Sequence, residues 1–436
     1  MIQIPKTTFK LLHQNASPNQ NPGTKISFQY GTAGFRYKHT LLPHVFVKMG
    51  ILAALRSYSQ QGQTVGLMCT ASHNLEDDNG IKMADPDGGM LNSDIWEQYA
   101  VSLANAISVE DVHLVLQEII SKEFASIPNT NQRFQMKVHF GRDTRSHSAH
   151  LISLAIAAAD SLNDVTHPTF RQSVQIIDHG IVTTPQLHYF VMHANSHLLP
   201  NAIPFHYHIH GYFDAICHSY LSLLNTKTTQ GDQSSLQRPK QRIWIVDCAC
   251  GVGSYQIQTL EKKLNQLTHS LAAQFKVVNA VNDGPLNDKC GAEYVQKQQK
   301  PPILYSEGLH QKRIITSNSR LQSELDRFEK ISFLKCSLDG DADRIVFHYQ
   351  TNDSQSSFHL LDGDKIAVLV ANFVQKELTH LMKVLDKDEE SDLRCGVVQT
   401  AYANGASTDY LKVCFISLIS ISHVMLRISI FVFCEY

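Results

Sequence analysis

Neither sign of charge is in surplus in this chain: 38 Lys and Arg stand against 40 Asp and Glu in 436 residues. Nucleic-acid binders neutralise phosphates with a basic excess, and none is present, so nucleic acid is not an expected partner. Any affinity for phosphate must come from local placement of charge. Paired cysteines are also missing. The nine cysteines are scattered, Cys248 and Cys250 lie too close for an ordinary disulfide, and no second pair answers them at zinc-site spacing. That usage fits a reducing, cytoplasmic compartment. The first residues, Met1 to Lys6, lack the basic and then apolar run of a secretory leader. Long apolar runs are absent except at Val413 to Tyr436, 24 residues with one Arg, one Glu and one His. A bilayer needs about 20 apolar residues. Here Arg427 would cost about 2.5–3.5 kcal/mol near a helix centre, and four serines dilute the rest. A membrane anchor is disfavoured.

The 43% hydrophobic and 18% charged composition belongs to a soluble globular protein with sizeable cores. The length allows two to four domains. Apolar spacing predicts helices over Val47–Tyr58, Trp96–Ile107, Ser148–Ser161, Tyr212–Leu224, Tyr255–Leu267 and from Lys365 to about Leu378. Strands are expected at Thr64–Cys69, Val138–Phe140, Val174–Asp178, Ile243–Asp247, Ser332–Ser337 and Ile345–Tyr349. This alternation signals α/β layers. Three consecutive α/β units with mixed sheets are expected: 1–197, 198–344, and an incomplete 345–436 ending in the apolar tail 413–436. The polar stretches Glu76–Gly80, Thr226–Gln237 and Asp386–Asp392 read as loops.

Two short segments carry the chemistry. Thr70-Ala71-Ser72-His73-Asn74 presents a hydroxyl beside an imidazole; Asp339-Gly340-Asp341-Ala342-Asp343-Arg344 places three carboxylates at alternate positions, closed by a guanidinium. Three close carboxylates repel unless a cation sits among them. Mg2+ prefers such oxygen ligands and often shares its shell with a phosphate. The acids follow an expected strand, at the end where α/β proteins bind ligands. An EF-hand is rejected, because Arg344 and the expected strand Ile345-Val346-Phe347 stand where its loop would continue. Ser72 alone would read as a helix cap in a strand-to-helix turn, or as an acyl-transfer nucleophile lacking both a G-x-S-x-G elbow and a third triad member. Beside the acids it reads as a phosphoserine whose phosphate and carboxylates share one metal.

Weaker candidates surround these. Arg36 lies in Tyr30-Gly31-Thr32-Ala33-Gly34-Phe35-Arg36, where two glycines let backbone approach a ligand. Lys82 either returns to the same cleft or is solvated. Arg142 and Arg145 are candidates for phosphate, against a structural ion pair. His206, His208 and His210 alternate as on a strand, but a zinc site lacks its fourth ligand.

Together YGTAGFR, TASHN with EDDNGIK, GRDTR, GIVTTP, SLDGDADR and QTAYANGAST resemble the α-D-phosphohexomutase family over roughly residues 20–412. The motif order is similar to the branch acting on N-acetylglucosamine phosphates, with a glucose or mannose phosphomutase as the alternative within the same class. The resemblance implies four domains around a central cleft, with the third incomplete here and the fourth absent. It implies a phosphorylated Ser72 that donates to a small sugar phosphate through a 1,6-bisphosphate, with Mg2+ held by Ser72, Asp339, Asp341 and Asp343. N-acetylglucosamine 6-phosphate and 1-phosphate would interconvert, feeding nucleotide-sugar synthesis. Arg36, His73 and Lys82 match family catalytic positions, and Arg344 and Arg142 are assigned to substrate or phosphate. The family continues past Lys412 into a loop that grips sugar hydroxyls and a further phosphate-binding domain. Impaired turnover, or a non-catalytic binding remnant, is therefore expected of this chain.

Overall fold

A computed structural model describes residues 5–20, 26–31, 34–91, 94–124, 134–164, 173–196, 209–226, 243–268, 274–305, 333–350, 358–384, 393–399, 403–414, 417–420 and 429–434. The first unit is built on five strands: β1 Phe35–Lys38, β2 Thr64–Cys69, β3 Asp78–Ala84, β4 Met136–Arg142 and β5 Val174–Ile181. They lie in the order β1-β3-β2-β4-β5, with β2, β4 and β5 parallel and β3 antiparallel to both β1 and β2. Around them run α1 Lys6–Gln14, α2 Pro43–Ser59, α3 Asp94–Asn105, α4 Val109–Glu123, α5 Ser148–Asp160 and α6 Thr184–Ala194.

Strand periodicity explains the layering. Along β2, Val65, Leu67 and Cys69 enter the large core beneath α2 and α5, whereas Met68 meets Val182, Leu187 and Phe190 on the α6 side. Both faces of β2 are covered, which is why it reads as a continuous buried run.

The second unit repeats the plan. Its strands are β6 Ile243–Asp247, β7 Gln274–Val278, β8 Phe333–Leu338, β9 Ile345–Gln350 and β10 Phe358–Leu361, in the order β10-β9-β8-β6-β7. Strands β8, β6 and β7 are parallel; β9 runs antiparallel to β8, and β10 to β9. Helices α7 Ile209–Thr226, α8 Gly253–Thr268 and α9 Gly291–Gln298 accompany it. The boundary expected at 344/345 falls inside this sheet. Residues Lys335 to Leu338 pair with Ile345 to His348 across the acidic turn, so the strand taken as the start of a third unit is the hairpin partner of β8. Beyond it lie α10 Gly363–Val384, β11 Leu393–Gln399, α11 Gly405–Cys414, β12 Ser417–Ser420 and β13 Ser429–Cys434. Strand β11 pairs parallel to β12 and antiparallel to β13.

Most expected elements are present with ends shifted by a few residues, and β2 and β6 begin and end where expected. Glu76–Gly80 is not all loop, since Asp78, Asn79 and Gly80 already belong to β3. The runs 227–237 and 386–392 lie outside the described residues, as do His206 and His208. No helix among the described residues is long and apolar enough to cross a membrane.

Candidate active site

The sequence leaves β2 at Cys69 and turns directly into β3, so Ser72 caps no helix. Ser72 adopts the left-handed region, φ 49°, a conformation costing an L-residue roughly 1–2 kcal/mol. Several contacts hold it there. The Ser72 backbone N–H donates to Thr70 Oγ1 at 2.9 Å. Arg145 Nη2 donates to Asn74 O at 2.7 Å and to Ser72 O at 3.4 Å. Arg145 is buried and paired with Asp143, whose carboxylate also accepts from Ser148 Oγ at 2.7 Å. The GRDTR segment is thus a brace for the serine loop. Arg142 turns elsewhere, its Nη1 lying 3.3 and 3.4 Å from the two Asp178 oxygens.

The acidic turn follows β8 and is braced by its own residues. Arg344 donates its backbone N–H to Asp339 Oδ1 at 3.1 Å and its Nε to Asp339 Oδ2 at 3.0 Å. Its Nη1 is fixed by Glu293 of α9 at 2.7 Å. Ala342 closes the turn with φ 55° and an N–H to Asp339 O at 3.0 Å.

The two loops meet. Ser72 Oγ donates to Asp339 Oδ2 at 2.7 Å and lies 3.5 Å from Asp343 Oδ1. Lys82 Nζ bridges Asp341 Oδ2 at 3.3 Å and Asp343 Oδ2 at 3.1 Å. Thr184, at the start of α6, donates its hydroxyl to Asp341 Oδ2 at 2.6 Å and its backbone N–H to Asp341 O at 3.2 Å. Arg36 Nη1 lies 3.4 Å from His73 Nδ1. Of the expected residues, Ser72, His73, Lys82, Arg36, Arg344 and the three aspartates converge here, and Arg142 is engaged with Asp178. Thr184 and Glu293 were not foreseen, whereas Arg145 makes the structural ion pair weighed for it, with Asp143. Only Thr184 had a trace in the sequence, as part of the GIVTTP segment.

Electrostatics distinguish the three acids. Burial, then Asp343 and Asp341, pushes Asp339 up to about 8. Burial would raise Asp343 too, but Lys82 and Arg344 outweigh it and hold the carboxyl well below the usual range. Burial opposes the Lys82 ammonium, yet Asp341 and Asp343 carry it above the ordinary lysine value. Burial, with Arg344 and Arg36 nearby, lowers His73 to about 4, so its imidazole is neutral at pH 7. Since Arg36 can only donate, Nδ1 accepts and Nε2 carries the ring proton.

One carboxylate oxygen from each of Asp339, Asp341 and Asp343 falls within a 4.8 Å spread. Asp341 Oδ1 is buried without a hydrogen-bond partner, as are Arg36 Nε and Arg344 Nη2. A buried acceptor facing no donor, in a set of hard oxygens, fits a divalent cation. Unused guanidinium N–H groups beside it fit a phosphate.

The segment 362–424 matches the family described as "Phosphoacetylglucosamine mutase AMG1, domain III", and 51–110 matches "Phosphoglucomutase/phosphomannomutase, alpha/beta/alpha domain I". The chain is 37% identical to Homo sapiens phosphoacetylglucosamine mutase over 406 residues, covering 93% of this chain and 61% of that protein. Aspergillus fumigatus N-acetylphosphoglucosamine mutase in complex with GlcNAc-6P and magnesium superposes with TM-score 0.71 at 33% identity, covering 97% of this chain and 67% of that one. The same fungal protein in complex with glucose 1,6-bisphosphate gives TM-score 0.72 at 33% identity, with coverages of 96% and 65%. The chain therefore spans a little under two thirds of the length of the human relative.

Proposed function

The chain belongs to the phosphoacetylglucosamine mutase family, and from that premise we propose that it transfers a phosphoryl group between Ser72 and an N-acetylglucosamine phosphate. The observation that carries this reading is the 2.7 Å contact of Ser72 Oγ with Asp339 across two separately built units. A serine with an unpolarised hydroxyl needs no trio of converging acids, two of them buried. A seryl phosphate with a shared cation does.

Mg2+ fits the oxygens of Asp339, Asp341 and Asp343 together with the seryl phosphate, where it would neutralise the charge of the transferring group. The protein's own groups account for the rest. In the forward transfer the Ser72 Oγ–P bond breaks and a P–O bond forms to the free hydroxyl of the sugar monophosphate. That hydroxyl's proton passes to Nδ1 of neutral His73 once Arg36 turns from it to the arriving phosphate, whose negative charge raises the ring's basicity. Lys82, held as an ammonium and sharing Asp343 with Ser72 Oγ, protonates the departing serine oxygen. Arg36 and Arg344 present their unpartnered N–H groups to phosphate oxygens. The 1,6-bisphosphate then turns over and returns its other phosphoryl group to Ser72, with the proton movements reversed.

The domain III match begins at residue 362, one residue beyond β10, and supports a boundary between second and third units there. Cys69, Cys217, Cys248, Cys250, Cys290 and Cys336 are free thiols, which supports a cytoplasmic setting.

The test is conversion of N-acetylglucosamine 6-phosphate to the 1-phosphate, primed with glucose 1,6-bisphosphate and Mg2+. Ser72→Ala should abolish both the product and the phosphate found on the protein. A wild-type chain that neither forms product nor takes phosphate at Ser72 ends the proposal.

A further inference from the structure

Asn287 lies in the turn leading into α9, in the second unit. Its backbone is left-handed, φ 59°, and its N–H donates to Ala249 O at 3.0 Å. Its buried side chain reaches the first unit, where Nδ2 donates to Ser72 O at 2.8 Å and to Asn74 O at 2.9 Å. These are the same two carbonyls that Arg145 engages from within the first unit. The serine loop is therefore gripped from both units through the same oxygens.

We propose that Asn287 is a positioning residue that sets Ser72 Oγ against the metal-binding aspartates. Arg145 fixes the shape of the serine loop, but it moves with the first unit and cannot set the distance to Asp339. Asn287 belongs to the unit that carries Asp339. Gly340, between Asp339 and Asp341, packs against the same junction: a Cβ there would lie 2.7 Å from Asn287 Nδ2 and 2.7 Å from Ser72 O. Asn287 thus ties the carbonyl of Ser72 to the acidic turn itself. The chemistry selects an amide. One planar nitrogen offers two splayed N–H donors for two carbonyl oxygens, whereas a carboxylate of the same shape is an acceptor only and would repel both. Loosening the grip would leave loop and acids intact but misplaced, and a displacement of about 1 Å costs on the order of 100-fold in transfer rate.

This inference rests on the phosphoserine reading, and its test separates the two. Wild type, Asn287→Ala and Asn287→Asp are mixed with Mg2+ and glucose 1,6-bisphosphate, and phosphate on Ser72 is followed by intact-mass spectrometry in single turnover. Hydrogen exchange of residues 70–77 and of β8 is measured in parallel. The expected result is a rate lower by about 10-fold in Asn287→Ala and about 100-fold in Asn287→Asp. The half-saturating bisphosphate concentration should stay within about twofold, exchange in 70–77 should quicken, and β8 should keep its protection. Wild-type rates in both variants overturn the proposal, even where exchange has quickened. If the wild type itself takes no phosphate, the mutase reading fails and exchange alone decides. Quickened exchange in 70–77 then supports the grip of Asn287 on the loop, and unchanged exchange overturns it.

Discussion

The serine loop and the acidic turn occupy equivalent places in two similar sheets. Each joins a central parallel strand to its antiparallel neighbour, β2 to β3 in one case and β8 to β9 in the other. Each contains a non-glycine residue with positive φ, Ser72 at 49° and Ala342 at 55°. They differ in what holds them. Around Asp339 the acidic turn is braced by its own unit, through Arg344 and Glu293, while Lys82 of the first unit reaches Asp341 and Asp343 and Thr184 reaches Asp341. The serine loop is held partly from the other unit, because Ser72 and Asn74 lend their carbonyls to Asn287 and Ser72 Oγ donates to Asp339. At the Ser72–Asp339 contact the acidic turn is the anvil, and the serine loop takes its position from it.

If that asymmetry is right, the largest effect should come from thickening the anvil where it touches the serine loop. Gly340→Ala adds a methyl group 2.7 Å from the Ser72 carbonyl oxygen, and a backbone atom cannot swing aside as a side-chain tip can. We expect Ser72 phosphorylation to slow by about 100-fold, with an overpacking cost of about 1–3 kcal/mol in urea unfolding. A normal rate would show the loops to be independent.

Acid should act on both units, since burial also lowers His348 of β9 to about 4, but a facing pair of such histidines lies in the first. There His139 of β4 and His179 of β5 lie 3.2 Å apart against α6, and burial lowers them to about 3 and about 4. Both are neutral in the fold. Below about pH 6.5 the unfolded chain binds protons that the folded chain refuses, so stability falls as pH drops from 6.5 toward 4. His139 alone accounts for about 2 kcal/mol between pH 7 and 5. His139→Phe should shrink the difference in unfolding free energy between those two pH values by that amount. An undiminished acid limb would show that other groups carry it.

A smaller effect is expected at Thr184, where the first unit reaches back to the acids. Thr184→Val deletes the 2.6 Å hydrogen bond to Asp341 Oδ2 and frees that carboxylate to turn. Residues that orient metal ligands typically contribute 10–100-fold in affinity. A Mg2+ titration should show weakening of about 10-fold, and no change would leave Lys82 as sufficient to hold Asp341.

How much of this was legible in the sequence follows from the same asymmetry. The acidic turn is a contiguous motif whose ligands and closing Arg344 lie within six residues, so its chemistry could be read directly. Ser72 became readable beside it. Thr184, Glu293 and Asn287 act on the loops from sequence separations of 157, 51 and 215 residues respectively. No local spacing announces such pairs, since only the sheets bring them together. The misplaced boundary at Ile345 has a related cause. A strand after a turn looks alike whether it opens a new sheet or closes the old one, and the pairing of β9 with β8 decides which.

Arg142 sharpens the comparison from the other side, because it shares a motif with Arg145 and a different fate. Its side chain is 23% exposed and its partner Asp178 41% exposed, with the pair at 3.3 Å. Ion pairs this wet contribute about 0–1 kcal/mol, as the solvent screens them and both side chains lose rotamer freedom. Arg145 is wholly buried and spends its donors on loop carbonyls. Arg142→Gln should therefore move the urea midpoint by less than about 0.5 kcal/mol in free energy and leave the Ser72 phosphorylation rate within about twofold. A tenfold loss would mean that Arg142 leaves Asp178 for the substrate phosphate, as the family resemblance implies, and that the first unit supplies a phosphate ligand beyond Arg36. The two outcomes separate cleanly because Asp178→Asn breaks the same ion pair without touching any group that a phosphate would seek.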